Sequence, residues 1–167
     1  MDKDAKKTAL RMIPYGLYVL TGETDDGRIA AATVNWVTQT AFEPPLVAVG
    51  VKADSGAHQI IKEANTFALN VLGQGQQAVA YAFFKPTERE GDTINGQTYK
   101  PGSTGAPLLD SAPAYVECKL VTTFEEGDHS TFIGEVVDAG IAQAPKGRPD
   151  ATTLALADLG EQIFYGG

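Results

Sequence analysis

Cysteine is nearly missing from this chain. Cys118 is the only one in 167 residues, so no internal disulfide and no cysteine-built metal cluster can form. Histidine is almost as scarce, with His58 and His129 alone. They form no His-x-x-x-His pair, which leaves a zinc or copper centre with little support and predicts no metal. Positive charge is short too. Lys and Arg number 13 against 21 Asp and Glu, a net charge of −8, and that balance disfavours nucleic acid or an anionic membrane as partner. No apolar run approaches the roughly 20 residues that cross a bilayer. The opening Met1-Asp2-Lys3-Asp4-Ala5-Lys6-Lys7 is charged and lacks the apolar segment of a secretion signal, so a cytoplasmic protein is expected. A Walker motif is absent, and no Gly-x-Gly-x-x-Gly leads from a strand into a helix.

What remains is an ordinary globular composition, 43% hydrophobic and 20% charged, at a length suited to one domain over residues 1–167. Asp4 to Met12 reads as a helix ended by Pro14, and Leu17 to Gly22 as a strand. Asp25-Asp26-Gly27 marks a hairpin turn, and Arg28 to Asn35 the returning strand. Asp54-Ser55-Gly56 looks like a helix start, with Ser55 as cap. Thr66 to Leu72 predicts a short buried strand and Gln76 to Phe84 a helix. Lys85 to Gly105, polar and rich in glycine and proline, predicts a long loop. Ala114 to Phe124 alternates over a full strand, and Ser130 to Val137 returns. Short strands joined mostly by hairpins, with two or three helices inserted, predict a mainly β fold with peripheral helices: a closed or nearly closed antiparallel barrel.

The run Thr33 to Val51 carries the most chemistry. It opens as an alternating strand and closes on apolar Leu46-Val47-Ala48-Val49-Gly50-Val51. Between them Trp36 to Glu43 reads as a connection terminated by Pro44-Pro45, whose fixed φ values restrict its shape. Asn35, Thr38, Gln39 and Thr40 offer hydrogen-bonding groups beside one aromatic, Trp36. That mix suits the edges and face of a small planar ligand, and it equally suits a satisfied strand–loop–strand crossover.

This run resembles the signature of the flavin reductase-like family of FMN-binding split barrels. Further matches fall in order: Pro14 to Thr21, Asn65 to Leu72, Gly127-Asp128-His129, and Gly134-Glu135-Val136. The nearest resemblance is to flavoredoxin and the flavin reductase module of flavodiiron proteins, through Gly16–Tyr18, Trp36–Gln39 and Pro113–Cys118. The resemblance spans roughly Leu10 to Gly140. It implies a split β-barrel, FMN as cofactor, NAD(P)H as donor, and a homodimer with flavin sites near the subunit interface. It also implies a redox protein or monooxygenase partner.

Residue by residue, the resemblance places Asn35, Trp36, Val37, Thr38, Gln39 and Thr40 around the flavin. It puts Ser55 at the phosphate, although Ala57 and His58 depart from the family's Ser-x-Thr-like pattern there. Lys85 would meet the flavin or its phosphate, and Phe164 or Tyr165 would cover the ring. His129 would lie near the ring where the donor docks. Each has a plainer alternative: helix cap for Ser55, solvated charge for Lys85, turn residue for His129, terminal packing for Phe164. Three functions stand at this level. The first is an NAD(P)H-dependent FMN reductase, passing hydride from nicotinamide to flavin. The second is an electron carrier without its own nicotinamide site, and the third a non-redox flavin- or haem-binding barrel.

Overall fold

The computed structural model describes residues 1–167. Helix α1 (Lys3–Arg11) starts on Asp2, whose carboxylate accepts the Ala5 N–H at 2.7 Å. None of its residues is buried; the apolar spacing that predicted the helix does not lead to burial in the core. Strands β1 (Tyr18–Glu23), β2 (Ile29–Val34), β3 (Val37–Ala41) and β4 (Leu46–Lys52) follow. Gly27 turns the β1–β2 hairpin with φ of 83°, a conformation that costs glycine little. Helix α2 (Gly56–Ala64) then leads through left-handed Asn65 into β5 (Thr66–Val71), and a one-and-a-half-turn helix α3 (Gln77–Ala82) follows.

Strands β6 (Arg89–Glu90), β7 (Thr93–Ile94), β8 (Gln97–Pro101) and β9 (Pro107–Leu109) form a four-stranded sheet in that order. The long loop expected over Lys85 to Gly105 is therefore a compact meander. Its strands are too short to show a period of two, and its glycines occupy tight turns, as at Gly91 and Gly96. Two long strands, β10 (Ala114–Phe124) and β11 (His129–Ile141), complete the main sheet. Its order is β2-β1-β5-β10-β11-β4-β3, antiparallel at every pairing. β2 and β3 are its edges, so the sheet is split and does not close by hydrogen bonds. Val37–Ala41, expected inside a connection, is instead edge strand β3, paired with β4.

β1 and β5 lie inside the sheet, β1 next to edge strand β2, and are buried on both faces. Alternation sends Val19 into one apolar cluster with Leu17, Leu72 and Phe83, and Leu20 into another with Val49, Phe67 and Phe132. Asn70 locks the two sheets together. It donates to the Val19 carbonyl at 3.1 Å and accepts the Leu109 N–H at 2.8 Å. Cys118 lies fully buried in the second cluster. Burial, and then the neighbouring Glu117 charge, push its thiol up to about 12. A thiol held protonated is a poor nucleophile. The native protein is therefore expected to leave a thiol-titrating reagent unconsumed at pH ~8, below the ordinary thiol value, and to consume one equivalent after denaturation. One equivalent consumed rapidly by the folded chain would contradict this.

Candidate flavin site

A cleft of about 420 Å³ opens where the split leaves β2, β4 and the β4–α2 link side by side. That falls within the roughly 300–1,000 Å³ usual for small-molecule sites. One wall is the end of β2, with Thr33, Val34 and buried Asn35. The adjoining wall is Phe83 and Phe84, just beyond α3. That wall is fixed to β2, because the Thr33 hydroxyl donates to the Ala80 carbonyl at 2.7 Å and the Thr33 N–H to the Phe83 carbonyl at 3.2 Å.

One end of the cleft is the start of helix α2, where Lys52 pairs with Asp54 at 3.1 Å. Ser55 caps α2 in extended conformation and accepts the His58 N–H at 3.2 Å; its own hydroxyl donates to the Lys52 carbonyl at 2.7 Å. Ser55, Ala57 and Lys52 all line the cleft. The first-turn amides of a nine-residue helix carry partial positive charge toward that end. His58 braces the same corner from behind. Its Nε2 lies 2.8 Å from the Ser130 hydroxyl and 3.3 Å from Glu125, and its ring packs on Phe132 with centroids 5.0 Å apart. Serine and glutamate meet the same ring nitrogen, so these three do not form a nucleophile–base–acid relay.

His129 begins β11, opposite Lys52 across the ladder, and lines the cleft. Its Nδ1 lies 3.0 Å from the Asp128 carboxylate and its Nε2 2.6 Å from the Tyr165 hydroxyl. The hydrogen bond from His129, and then its charge when the ring is protonated, hold the Asp128 carboxyl below its ordinary range. A depressed value stabilises the pair above the ordinary carboxylate range, and that contribution is lost as pH falls through the depressed value. Trp36 packs edge-on to His129 at 4.7 Å and tilted to Tyr165 at 5.4 Å. Its ring covers Gly50, where a Cβ would stand 3.0 Å from Trp36 Cε3, so the glycine makes room for the indole. Trp36 Nε1 is buried and has no hydrogen-bond partner.

Of the residues expected from sequence, Asn35, Ser55, His129 and Phe164 line one cleft, with Trp36 against its rim. Val37, Thr38, Gln39 and Thr40 lie on edge strand β3 and Lys85 is exposed beyond Phe84; none of these lines the cleft. Tyr165, rather than Phe164, makes the polar contact with His129. Phe164 faces Arg11, whose guanidinium lies 4.2 Å from the ring centroid. Lys52, Ala57, Leu156 and Ile163 also line the cleft, and nothing local in the sequence marks them. A Gly-x-Gly-x-x-Ala run does join β5 to α3, but Gln76 closes that turn itself by accepting the Gly73 N–H at 2.7 Å.

An apolar slot that ends at the start of helix α2 fits a flavin mononucleotide. These features define a flavin-binding split barrel. The chain belongs to the flavin reductase like domain family, which it matches over residues 10–159. It is 34% identical over 154 residues to a ferric-chelate reductase (NAD(P)H) of Archaeoglobus fulgidus, covering 90% of this chain and 86% of that one. Among solved structures it is similar to the NADH:FAD oxidoreductase of Streptomyces globisporus C-1027, with TM-score 0.68 and 33% identity over 77% of this chain and 71% of that one. The styrene monooxygenase flavin reductase of Pseudomonas putida S12 gives TM-score 0.69 and 28% identity over 82% and 87%.

Proposed function

We propose that the chain is an NAD(P)H-dependent flavin reductase that holds FMN in this cleft. The observation that carries the reading is the convergence of the α2 start, the apolar walls and His129 on one cavity. Bound FMN would supply the hydride-accepting and electron-releasing chemistry. The protein's residues bind and orient. Ser55 and the α2 amides hold the phosphate with Lys52 alongside, while Phe83, Phe84 and the β2 edge exclude water from the ring. Trp36 stands at the rim and backs His129 and Tyr165. His129 stands at the donor side, positioned by Asp128.

The relatives' names, a ferric-chelate reductase and a monooxygenase flavin reductase, suggest that electrons leave to a ferric complex or as reduced flavin to a partner oxygenase. A homodimer suits the exposed apolar groups Phe42, Phe124 and Ile141, at 89%, 63% and 69% exposure. No helix is long and apolar enough to cross a membrane.

The test is a pair of titrations. FMN is expected to bind at least about 10-fold more tightly than riboflavin, since each phosphate hydrogen bond is charge-assisted and worth roughly 1.5–3 kcal/mol. Anaerobic NADH or NADPH is then expected to bleach the bound flavin. Equal affinity for the two flavins would remove the phosphate from the α2 start. A yellow protein that neither nucleotide bleaches would be an electron carrier instead, a reading that the net charge of −8 favours by suiting a basic redox partner.

A further inference from the structure

His129 has no ring nitrogen free for a ligand. Nδ1 is taken by Asp128 at 3.0 Å and Nε2 by Tyr165 at 2.6 Å. A carboxylate only accepts, so Nδ1 carries the proton, and in the neutral ring Nε2 accepts the phenolic O–H. Burial raises the Tyr165 phenol above its ordinary value, outweighing the opposing effect of Lys52, so it remains a donor at neutral pH.

The segment that brings Tyr165 here is lightly attached. Ile163–Gly167 has no helix or strand, and Phe164 and Tyr165 are about half exposed. Glycines with positive φ flank the aromatics at Gly160 and Gly166. Beyond the His129 contact, the packing of Ile163 on the first apolar cluster and of Tyr165 on Trp36, and two hydrogen-bonded anchors, hold the segment. Asn35 Nδ2 donates to the Tyr165 carbonyl at 3.2 Å, and Arg11 donates to the Gly166 carbonyl at 3.2 Å while stacking on Phe164. On its far side lies a second cavity of about 510 Å³, lined by Arg11, Tyr15 and Tyr18. Leu156, Ile163, Phe164 and Tyr165 line both cavities. The segment thus stands between the two cavities, with Leu156 beside it.

We propose that Ile163–Gly167 is a movable strap and that Tyr165 is a positioning residue acting through His129: its hydroxyl holds the imidazole closed until the nicotinamide donor enters. The proposal rests on the flavin reductase reading. Donor entry requires the Tyr165–His129 contact to break, which frees Nε2 and joins the two cavities. A strap closed by one such bond lowers the apparent donor affinity by the fraction of molecules that are open.

Trp36 is the sole tryptophan and lies against Tyr165 and His129, so its emission reports the strap directly. Tyr165→Phe removes the hydroxyl and keeps the ring. In the full chain it is expected to make Trp36 more accessible to acrylamide quenching. It is also expected to lower the KM for NADH roughly 5-fold, the weight of one net hydrogen bond, while kcat holds. Arg11→Gln loosens the outer anchor without touching His129 and is expected to move both readouts the same way. Unchanged quenching and KM in both variants would make the segment a fixed wall and overturn the proposal. Weaker FMN binding with an unchanged donor KM would also overturn it, making Tyr165 a flavin contact. If neither nucleotide reduces the wild type, the reductase reading fails on its own, and quenching still decides whether the strap moves.

Discussion

Glu117→Ala is expected to destabilise the fold by about 3 kcal/mol or more. For a domain of this size that lowers Tm by about 6–12 °C. Glu117 is fully buried in the middle of β10 at an irregularity in its pairing with β11. Its two oxygens receive the turn that joins β8 to β9. Oε1 accepts the Thr104 N–H at 2.8 Å and its hydroxyl at 2.6 Å; Oε2 accepts the Ser103 N–H and sits 3.0 Å from its hydroxyl. Asp138 competes for that serine hydroxyl at 3.1 Å. Gly102 allows the approach, since a Cβ there would collide with the carboxylate. Alanine would take the acceptor from the partly buried Ser103 and Thr104 N–H groups, roughly 1–3 kcal/mol for each one left unpaired, and leave a cavity where the buried carboxylate stood. Glu117→Gln keeps the volume but turns an amide N–H toward a donor, and is expected to lose an intermediate amount. Denaturant melts of the three proteins check this, and an alanine variant within about 0.5 kcal/mol of wild type would show that water replaces the carboxylate.

That anchor also shows why part of the fold was legible and part was not. β10 announces itself by alternation over Ala114–Phe124 and β5 by its apolar run, expected over Thr66 to Leu72 and found over Thr66–Val71. Ser55 is readable as a cap because its chemistry is local. β3 is not, because edge strand residues Thr38, Gln39 and Thr40 are all exposed, and a strand wet on both faces has no hydrophobic period. The meander that Glu117 holds is hidden for another reason: its strands are specified by a carboxylate 13 and 14 residues further along the chain. The site follows the same rule. The histidine is scarce enough to single out, but its partner Tyr165 lies 36 residues away, and only the folded chain distinguishes it from Phe164. Gly50 carried a usable signal. A glycine within an apolar strand implies a close approach, and the approaching group is Trp36.

His129→Ala is expected to retain the fold and the bound flavin yet slow flavin reduction by saturating NADH roughly 10-fold to 100-fold, the cost of lost positioning. The side chain is mostly covered, but its contacts are to the strap, Asp128 and Trp36 rather than to the apolar clusters, so little packing depends on it. It touches neither Ser55 nor the start of α2, where the phosphate is held, so flavin affinity is expected to change little. Removing the imidazole also removes the acceptor of the Tyr165 hydroxyl. The variant should therefore match Tyr165→Phe in raising Trp36 quenching, but slow the turnover that Tyr165→Phe leaves unchanged. That difference separates two roles: a site opened by breaking the latch fills at lower donor concentration, and a site without its imidazole is slower to react. Stopped-flow reduction set beside FMN titration reads both. If the variant loses FMN and keeps its reduction rate, His129 is a binding residue and its assignment to the donor side is wrong. If rate and affinity both stay at wild-type values, His129 is a turn residue that anchors the strap and nothing more, and the electron-carrier reading gains the weight that the reductase reading loses.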